Sequence, residues 1–136
     1  MNISSLKDAT AEALAKEAVK ILIEKKALDI RLFNVASENS ITDFYVNVTG
    51  RSSTHVASLA DDLADIISNK GREPLRTEGK RGVSWILVDF GDVIVNVFDK
   101  ASRDFYNFDR LMPAESQLDI AELVHEVDLK MQTIEE

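Results

Sequence analysis

The chain has 136 residues, of which 45% are hydrophobic and 29% charged, and it contains no cysteine. This length suits one domain with one sizeable core, and the missing cysteines exclude disulfides and thiolate chemistry and fit a reducing cytosol. The net charge of −8 excludes the class of basic proteins that bind nucleic acid through its phosphates. It suits a partner that is itself basic.

The first predicted helix spans residues 6–26. Ser5 and Asp8 have the spacing of a capping box and predict where the helix starts. Its apolar side chains recur at the spacing that places them on one helix face: Leu14, Ala18, Ile21 and Leu22.

Two predicted strands follow at residues 29–35 and 43–49, and the second alternates apolar and polar side chains. The short loop between them favours antiparallel pairing. A second helix is expected to begin at Ser52 or Ser53 and to end at Gly71. Because a helix connects the second strand to the third, those two strands are able to pair in parallel.

Three more strands are predicted between residues 74 and 98. Residues 74–78 form a short edge strand, where a proline is tolerated. Residues 83–90 and 93–98 form a hairpin closed by a two-residue turn at Gly91 and Asp92. The sequence therefore predicts an α/β fold of the mixed α+β kind, with a five-stranded mixed sheet flanked by helices.

The charge changes beyond residue 112. Residues 113–136 hold seven carboxylates and one base, Lys130, whereas residues 1–112 are nearly neutral. We predict an α/β domain at 1–112 and an acidic C-terminal extension at 113–136, with a helix at 118–131. The acidity either suits a basic partner or only keeps the protein soluble.

The turn at residues 50–53 is the most enzyme-like pattern, since a helix that starts after a glycine turn can hold an anion. However, the motifs GxxxxGK[ST] and GxGxxG are absent. Asp61 and Asp62 are adjacent on a helix, so they do not share a face as paired magnesium ligands would. We assign no catalytic residue and keep a nucleotide-handling enzyme, with its site at Gly50–Ser53, as the alternative function.

The remaining polar residues predict neither a metal site nor a cofactor. Asp89, Asp92 and Asp99 surround the hairpin, where turn and strand-end roles explain them. His55 and His125 lack ligand-like spacing, and no Ser/His/Asp set can be assembled.

Aromatic residues are the other candidates. Trp85 is the only tryptophan; a strand tryptophan usually packs a core, but aromatic anchors also dominate protein interfaces. A second aromatic group lies near Arg103 and Arg110, whose positive charge is cancelled by Asp104 and Asp109, and this disfavours base stacking beside phosphate contacts. We therefore expect this group to pack on the sheet: Phe105, Tyr106 and Phe108.

Four blocks of the sequence carry a resemblance to a known family: residues 40–46 with 49–50, residues 52–56, residues 74–76 with 78–79, and residues 85–98 followed by Arg103, 105–107 and 110–111. In this order and spacing they resemble the ribosomal silencing factor family, also called the Iojap-like family, over about residues 5–112. Two departures are Asn96, where the family usually has histidine, and Met112, where tryptophan is common.

The resemblance implies a translational repressor that is not an enzyme. Family members bind the large ribosomal subunit at a small ribosomal protein on its intersubunit face and sterically block joining of the small subunit. They have a nucleotidyltransferase-like fold without catalytic residues, and free members are often homodimers. For this chain we expect a basic ribosomal protein as partner, a homodimer, no membrane contact and no sequence-specific nucleic-acid binding.

The resemblance also supplies the predicted partner-binding residues: Trp85 and Phe90, with Gly91 and Asp92 in the adjoining turn. In a regular strand an offset of five places Trp85 and Phe90 on opposite faces, but a bulge or the nearby turn could bring them together. Residues 1–8 are polar and no apolar run approaches the ~20 residues of a membrane helix, so we expect a cytoplasmic protein.

Overall fold

The computed structural model describes residues 5–38, 40–79 and 84–135, with side chains through residue 132. Its helices and strands are, in chain order, α1 (Ala11–Glu24), β1 (Leu28–Asn34), β2 (Phe44–Gly50), α2 (Ser53–Asn69), β3 (Arg76–Glu78), β4 (Trp85–Asp89), β5 (Val93–Asp99), α3 (Lys100–Tyr106), β6 (Gln117–Leu118) and α4 (Ala121–Glu135). The predicted mixed α/β class is confirmed. The prediction of five strands is wrong by one, because Gln117 and Leu118 form β6 where only a helix was expected.

The six strands form one mixed sheet in the order β3-β4-β5-β2-β1-β6. The predicted antiparallel pairing of β1 with β2 and the edge position of β3 are both confirmed. The parallel neighbour of β2 is β5, not β3. The physical reason is burial: β5 is buried on both faces and suits the sheet centre, whereas all three residues of β3 are exposed.

One face of the sheet packs against α1 and α2. Alternate residues of the central strands point to this side and meet Leu14, Leu22, Leu59 and Leu63 of the two helices. Burying each such side chain stabilises the fold by roughly 1.5–3 kcal/mol. The inward-pointing strand residues are Phe44, Val46, Val48, Ile86, Val88, Val93, Val95 and Val97.

The opposite face carries α3 and the 3₁₀ turn Phe108–Leu111. The residues of β2, β4 and β5 that alternate with the helix-side core point this way, and two of them are buried asparagines. They are Tyr45, Asn47, Thr49, Trp85, Leu87, Ile94, Asn96 and Phe98.

The chain beyond residue 112 joins the same layers. β6 pairs with β1 through Leu32 and Leu118, and α4 packs Leu123 into the core beside α1. The predicted helix at 118–131 begins instead at Ala121, since Leu118 belongs to β6. No helix among the described residues is long and apolar enough to span a bilayer.

The helix ends test the capping predictions. The capping box at Ser5 and Asp8 is wrong, because α1 starts at Ala11 and Thr10 is its N-cap, accepting the Ala13 N–H at 3.1 Å. Ser52 caps α2 by accepting the His55 N–H at 3.1 Å. Gly71 follows α2 with φ +103°, as predicted. The first hairpin strand, predicted at residues 83–90, is β4 at Trp85–Asp89, and Val83 lies outside the described residues.

Candidate partner-binding site

Trp85 lies at the start of β4, on the sheet face opposite α1 and α2. Its ring centroid is 4.8 Å from that of Phe98, 5.0 Å from Tyr106 and 5.9 Å from Phe108. The indole is nevertheless only partly buried. Core and interface are therefore not alternatives for Trp85: one side of its ring packs on the protein and the rest faces solvent.

The indole N–H of Trp85 enters a chain of hydrogen bonds that runs beneath α3, which we call the amide relay. Trp85 Nε1–H donates to Asn96 Oδ1 at 3.0 Å, Asn96 Nδ2 donates to Asn47 Oδ1 at 3.0 Å, and Asn47 Nδ2 donates to Asp109 Oδ1 at 2.8 Å. Asn47 is 0% exposed and Asn96 1%. Because each buried amide is hydrogen-bonded on both its oxygen and its nitrogen, their burial is compensated.

Arg103 closes the far end of the relay. Its Nε donates to Asp109 Oδ2 at 2.8 Å, and its Nη1 donates to Thr49 Oγ1 and to Asp29 O, each at 3.0 Å. The guanidinium is 4% exposed and lies 5.9 Å from the Phe98 ring centroid. A buried arginine with one close carboxylate and two neutral acceptors holds α3 and the 3₁₀ turn to the sheet.

The exposed part of this region forms a surface that we call the Trp85 patch. Trp85, Leu87 and Tyr106 line a shallow groove with Glu78 and Gly79 at its rim. Phe105 adjoins it, with its ring centroid 5.1 Å from that of Tyr106. Tyr106 is 53% exposed and Phe105 81%. The patch thus combines aromatic and aliphatic side chains with one carboxylate.

The prediction that the second aromatic group packs on the sheet holds only in part. Phe108 does so, with its ring centroid 5.1 Å from that of Tyr45, but Phe105 projects into solvent. Arg103 and Tyr106 are three residues apart and share the sheet-facing side of α3, whereas Phe105 is rotated well away from Arg103. The αL conformation of Asn107, φ 49°, then redirects the chain towards Phe108.

The other three predicted contact residues lie at the opposite end of β4. Phe90 is 2% exposed and belongs to the helix-side core, while Trp85 points to the other face. Five residues of extended chain separate them by about 17 Å. Trp85 and Phe90 therefore do not share one exposed patch.

The turn at Gly91 and Asp92 is tied to its surroundings. Gly91 has φ +95°, as a two-residue primed turn requires at its first central position, and Phe90 N donates to Val93 O at 2.9 Å. Arg72 Nη2 donates to Asp92 Oδ1 at 2.7 Å. A turn held this way presents its backbone in one conformation.

The aspartates around the hairpin have the structural roles that the sequence suggested. Asp89 accepts from Arg76 Nε at 3.0 Å and from Gly91 N at 2.8 Å. Asp99 caps α3 by accepting the Ser102 N–H at 2.8 Å. Within the described residues, no group of three or more histidine, aspartate or glutamate side chains could hold a metal ion.

Tyr45 packs against Phe108, whose ring in turn contacts that of Trp85. Burial raises the pKa of its phenol above the ordinary value, and the carboxylate of Asp89 raises that pKa further. The ring is therefore uncharged at neutral pH, as its packing against an aromatic neighbour requires.

The strand–turn–helix at residues 50–53 uses its polar groups internally. Arg51 N donates to His55 Nδ1 at 2.9 Å, and its guanidinium donates to Lys26 O at 2.7 Å. A Cβ on Gly50 would lie 2.8 Å from Val56 Cγ2, so the glycine serves the close approach of α2. This turn has the outline of an anion site, but the backbone N–H groups of Arg51 and His55 and the Arg51 guanidinium donate to the chain itself.

The sequence reasoning missed the amide relay. Its signal was present as a single polar residue between valines in each of two apolar strands, at Asn47 and Asn96. A buried polar residue is informative because it needs a partner. The partners Asp109 and Arg103 lie 62 and 54 positions along the chain from Asn47 and Thr49, so no local pattern indicates them.

Comparison with known sequences finds one family. The family model described as "Ribosomal silencing factor during starvation" matches residues 8–135. The chain is 34% identical to the ribosomal silencing factor RsfS of Halalkalibacterium halodurans, over 74% of this chain and 86% of that protein. It is 36% identical to the RsfS of Zymomonas mobilis over 74% and 75%, and 31% identical to the chloroplastic protein Iojap of Zea mays over 75% and 44%.

Solved structures show the same fold. A crystal structure of a Chromobacterium violaceum protein superposes with a TM-score of 0.73 at 29% identity, covering 76% of this chain and 86% of that chain. A Bacillus halodurans structure gives a TM-score of 0.69 at 32% identity, covering 79% and 98%. The mixed sheet with its helices is thus shared with these proteins.

Proposed function

The chain belongs to the ribosomal silencing factor family, which associates with the ribosome and regulates translation, and from that premise we propose that it binds the large ribosomal subunit. The contact is a basic ribosomal protein on the intersubunit face. The bound protein blocks joining of the small subunit by occupying its place. It acts in the cytoplasm, without catalysis and without a cofactor.

The observation that supports this proposal most is the Trp85 patch. Tryptophan and tyrosine are enriched among the residues that dominate binding energy, above all where they sit in a packed surround. Trp85 meets that description, because three neighbouring rings and a buried amide hold it while part of it faces solvent. The net charge of −8 favours encounter with a basic partner.

The predicted contact residues take different roles in this proposal. Trp85 makes the central contact. Phe90, at 2% exposure, supports the Gly91–Asp92 turn from within the core, and the turn makes a second, smaller contact. The ion pair between Arg72 and Asp92 keeps that turn in place for it.

The absence of catalysis is supported by how the helix-start turn is used. The Ser52 hydroxyl caps α2 and the Arg51 side chain binds a backbone carbonyl, so neither is directed at a ligand. Asp62 points towards Lys25, 3.9 Å away, while Asp61 is exposed. A nucleotide-handling enzyme would need carboxylates that converge near this turn.

Co-sedimentation with purified ribosomal subunits tests the proposal. At low micromolar protein we expect co-migration with large subunits but not with small subunits or joined ribosomes. Adding the protein to large subunits before small subunits should reduce the light-scattering signal of joining. No binding to large subunits, or equal binding to joined ribosomes, would contradict the proposal.

Two further measurements complete the test. Sedimentation velocity of the free protein over a range of concentrations should show the expected homodimer. Millimolar nucleotide with magnesium should leave the melting temperature unchanged and should not be turned over. Nucleotide hydrolysis would favour the alternative enzyme instead.

A further inference from the structure

We propose that Asn96 and Asn47 are positioning residues for Trp85, and that the amide relay fixes the indole in the orientation used for contact with the partner. The relay comprises Trp85, Asn96, Asn47 and Asp109 and ends on Arg103. The inference rests on the proposed function, since it assigns these asparagines to that same binding site.

The relay has only one possible direction. The indole N–H of Trp85 can only donate, and the carboxylate of Asp109 can only accept. Each asparagine between them must therefore turn its oxygen towards Trp85 and its nitrogen towards Asp109, as the 3.0, 3.0 and 2.8 Å contacts show. A flip of either amide would set oxygen against oxygen or nitrogen against nitrogen.

Burial makes this direction strict. Asn47 and Asn96 are 0% and 1% exposed, so water is not at hand to replace a lost partner. An amide that loses its hydrogen bond in such a place bears its full desolvation cost. The Oδ1 of Asn96 is consequently a fixed acceptor, and it holds the Trp85 ring at a defined angle on the strand.

The relay also links the indole to α3 and the 3₁₀ turn, which pack on this face of the sheet. Asp109 lies in the 3₁₀ turn that begins with Phe108, and the Phe108 ring contacts Trp85 directly. Arg103 binds the second oxygen of Asp109 from α3. The relay thus fixes the indole nitrogen of Trp85, and Phe108 packs against the indole ring. Both contacts involve the 3₁₀ turn that contains Phe108 and Asp109.

Stability alone does not account for two asparagines at this place. They face each other across β2 and β5, flanked by Val46, Val48, Val95 and Val97. An apolar pair would remove two buried amides that have to be satisfied, and replacing both partners of a hydrogen bond by apolar groups of the same shape can be nearly neutral for stability. What the apolar pair would lack is an acceptor for the indole and a donor to Asp109 Oδ1, whose carboxylate would keep Arg103 on its other oxygen.

Since Trp85 is the only tryptophan, one indole ¹H–¹⁵N resonance and one emission spectrum report on it directly. In Asn96→Leu we expect the resonance to shift and its hydrogen exchange to accelerate at least about tenfold, because the acceptor is gone. Asn47→Leu should give a smaller change of the same sign, because the relay is cut one step further away. Affinity for large subunits should fall about three- to tenfold in Asn96→Leu.

Two further variants separate positioning from stability. Val97→Ala removes volume from the helix-side core on the same strand, so it should lower the melting temperature and leave the indole resonance unchanged. Asn96→His should restore most of the indole protection and affinity, because a neutral imidazole offers one acceptor and one donor nitrogen.

Different experimental results would contradict the positioning role and the proposed function. Unchanged indole exchange in folded Asn96→Leu and Asn47→Leu would overturn the positioning role, whatever the ribosome does. A freed indole with wild-type affinity for large subunits would overturn it as well. Wild-type protein that shows the protected indole but binds no large subunit would contradict the proposed function alone.

Discussion

The indole nitrogen of Trp85 lies 3.0 Å from the amide oxygen of Asn96, a side chain that is 1% exposed. A partly exposed aromatic ring is thus held by a group from the interior of the sheet. Such a ring has little freedom to lose when a partner binds, which lowers the entropic cost of association. Strand alternation places Trp85 on the side opposite α1 and α2, because its neighbour Ile86 points into the core beneath those helices.

Trp85→Ala should weaken binding to the large subunit by about 2 kcal/mol or more, roughly 30-fold, because it removes the central aromatic of the patch. Quantitative co-sedimentation measures this, with circular dichroism to show that the variant is folded. Leu129→Ala is the control, since Leu129 is also exposed, at 50%, but lies on α4, which packs beside α1. An affinity within twofold of wild type would remove Trp85 from the interface.

Phe105→Ala should change the free energy of unfolding by less than about 0.5 kcal/mol, since its side chain is 81% exposed. Phe98→Ala is the matched comparison: the same truncation at a 0% exposed ring should cost about 3–5 kcal/mol. Urea unfolding monitored by circular dichroism measures both. If Phe105→Ala proves as destabilising as Phe98→Ala, the exposed placement of Phe105 is wrong.

Gly50→Ala should destabilise the fold by about 1–3 kcal/mol, because the new Cβ would lie 2.8 Å from Val56 Cγ2 and 2.9 Å from Val56 N. The backbone atom cannot move aside as a side chain would. Thermal and urea unfolding measure the loss, with Ser58→Ala on the exposed side of α2 as control. Equal stability of the two variants would show that α2 does not approach β2 so closely.

Tyr45 should make the protein lose stability in alkaline solution. Its pKa is raised in the folded state by burial and by Asp89, so above the ordinary value near 10 the unfolded chain releases this proton more readily. The stabilisation is full below that pH and is lost as the pH rises through the folded-state pKa. Between pH 8 and 11, the free energy of unfolding should fall more steeply with pH for wild type than for Tyr45→Phe.

Absorbance titration gives an independent check of the same shift. The chain has two tyrosines, so the variant Tyr106→Phe leaves Tyr45 as the only phenol. Its ionisation midpoint in the folded protein should lie above that in denaturant. A midpoint that is equal or lower would contradict the burial of Tyr45.

Leu123→Ala should cost about 2–5 kcal/mol, because Leu123 is 7% exposed and inserts from α4 into the core. Asp128→Ala on the exposed side of α4 is the control and should change stability by less than about 0.5 kcal/mol. A small effect of Leu123→Ala would mean that the fold does not depend on the chain beyond residue 112.

Local patterns predicted much of the secondary structure. The Gly91–Asp92 turn and the Gly71 helix end follow from conformations that glycine tolerates, and the structure has both with positive φ. The start of α1 was misplaced because Ser5 and Thr10 both carry hydroxyls suited to an N-cap, and only the packing of Leu14 and its neighbours selects between them. The strand β6 was not predicted, because its two residues are too few to show an alternation of apolar and polar side chains.

By itself, the sequence determined the mixed α/β class, the hairpin, the lack of a recognisable catalytic motif and the resemblance of four blocks to one family. These depend on spacing within short segments, where chain geometry sets which side chains share a face. Only the tertiary structure decided that β5 lies beside β2, that Phe90 is buried while Trp85 is held at a surface, and that Asn96 meets Asn47 across 49 positions of chain. Contacts of that kind follow from packing of the whole core, which no short stretch of sequence encodes.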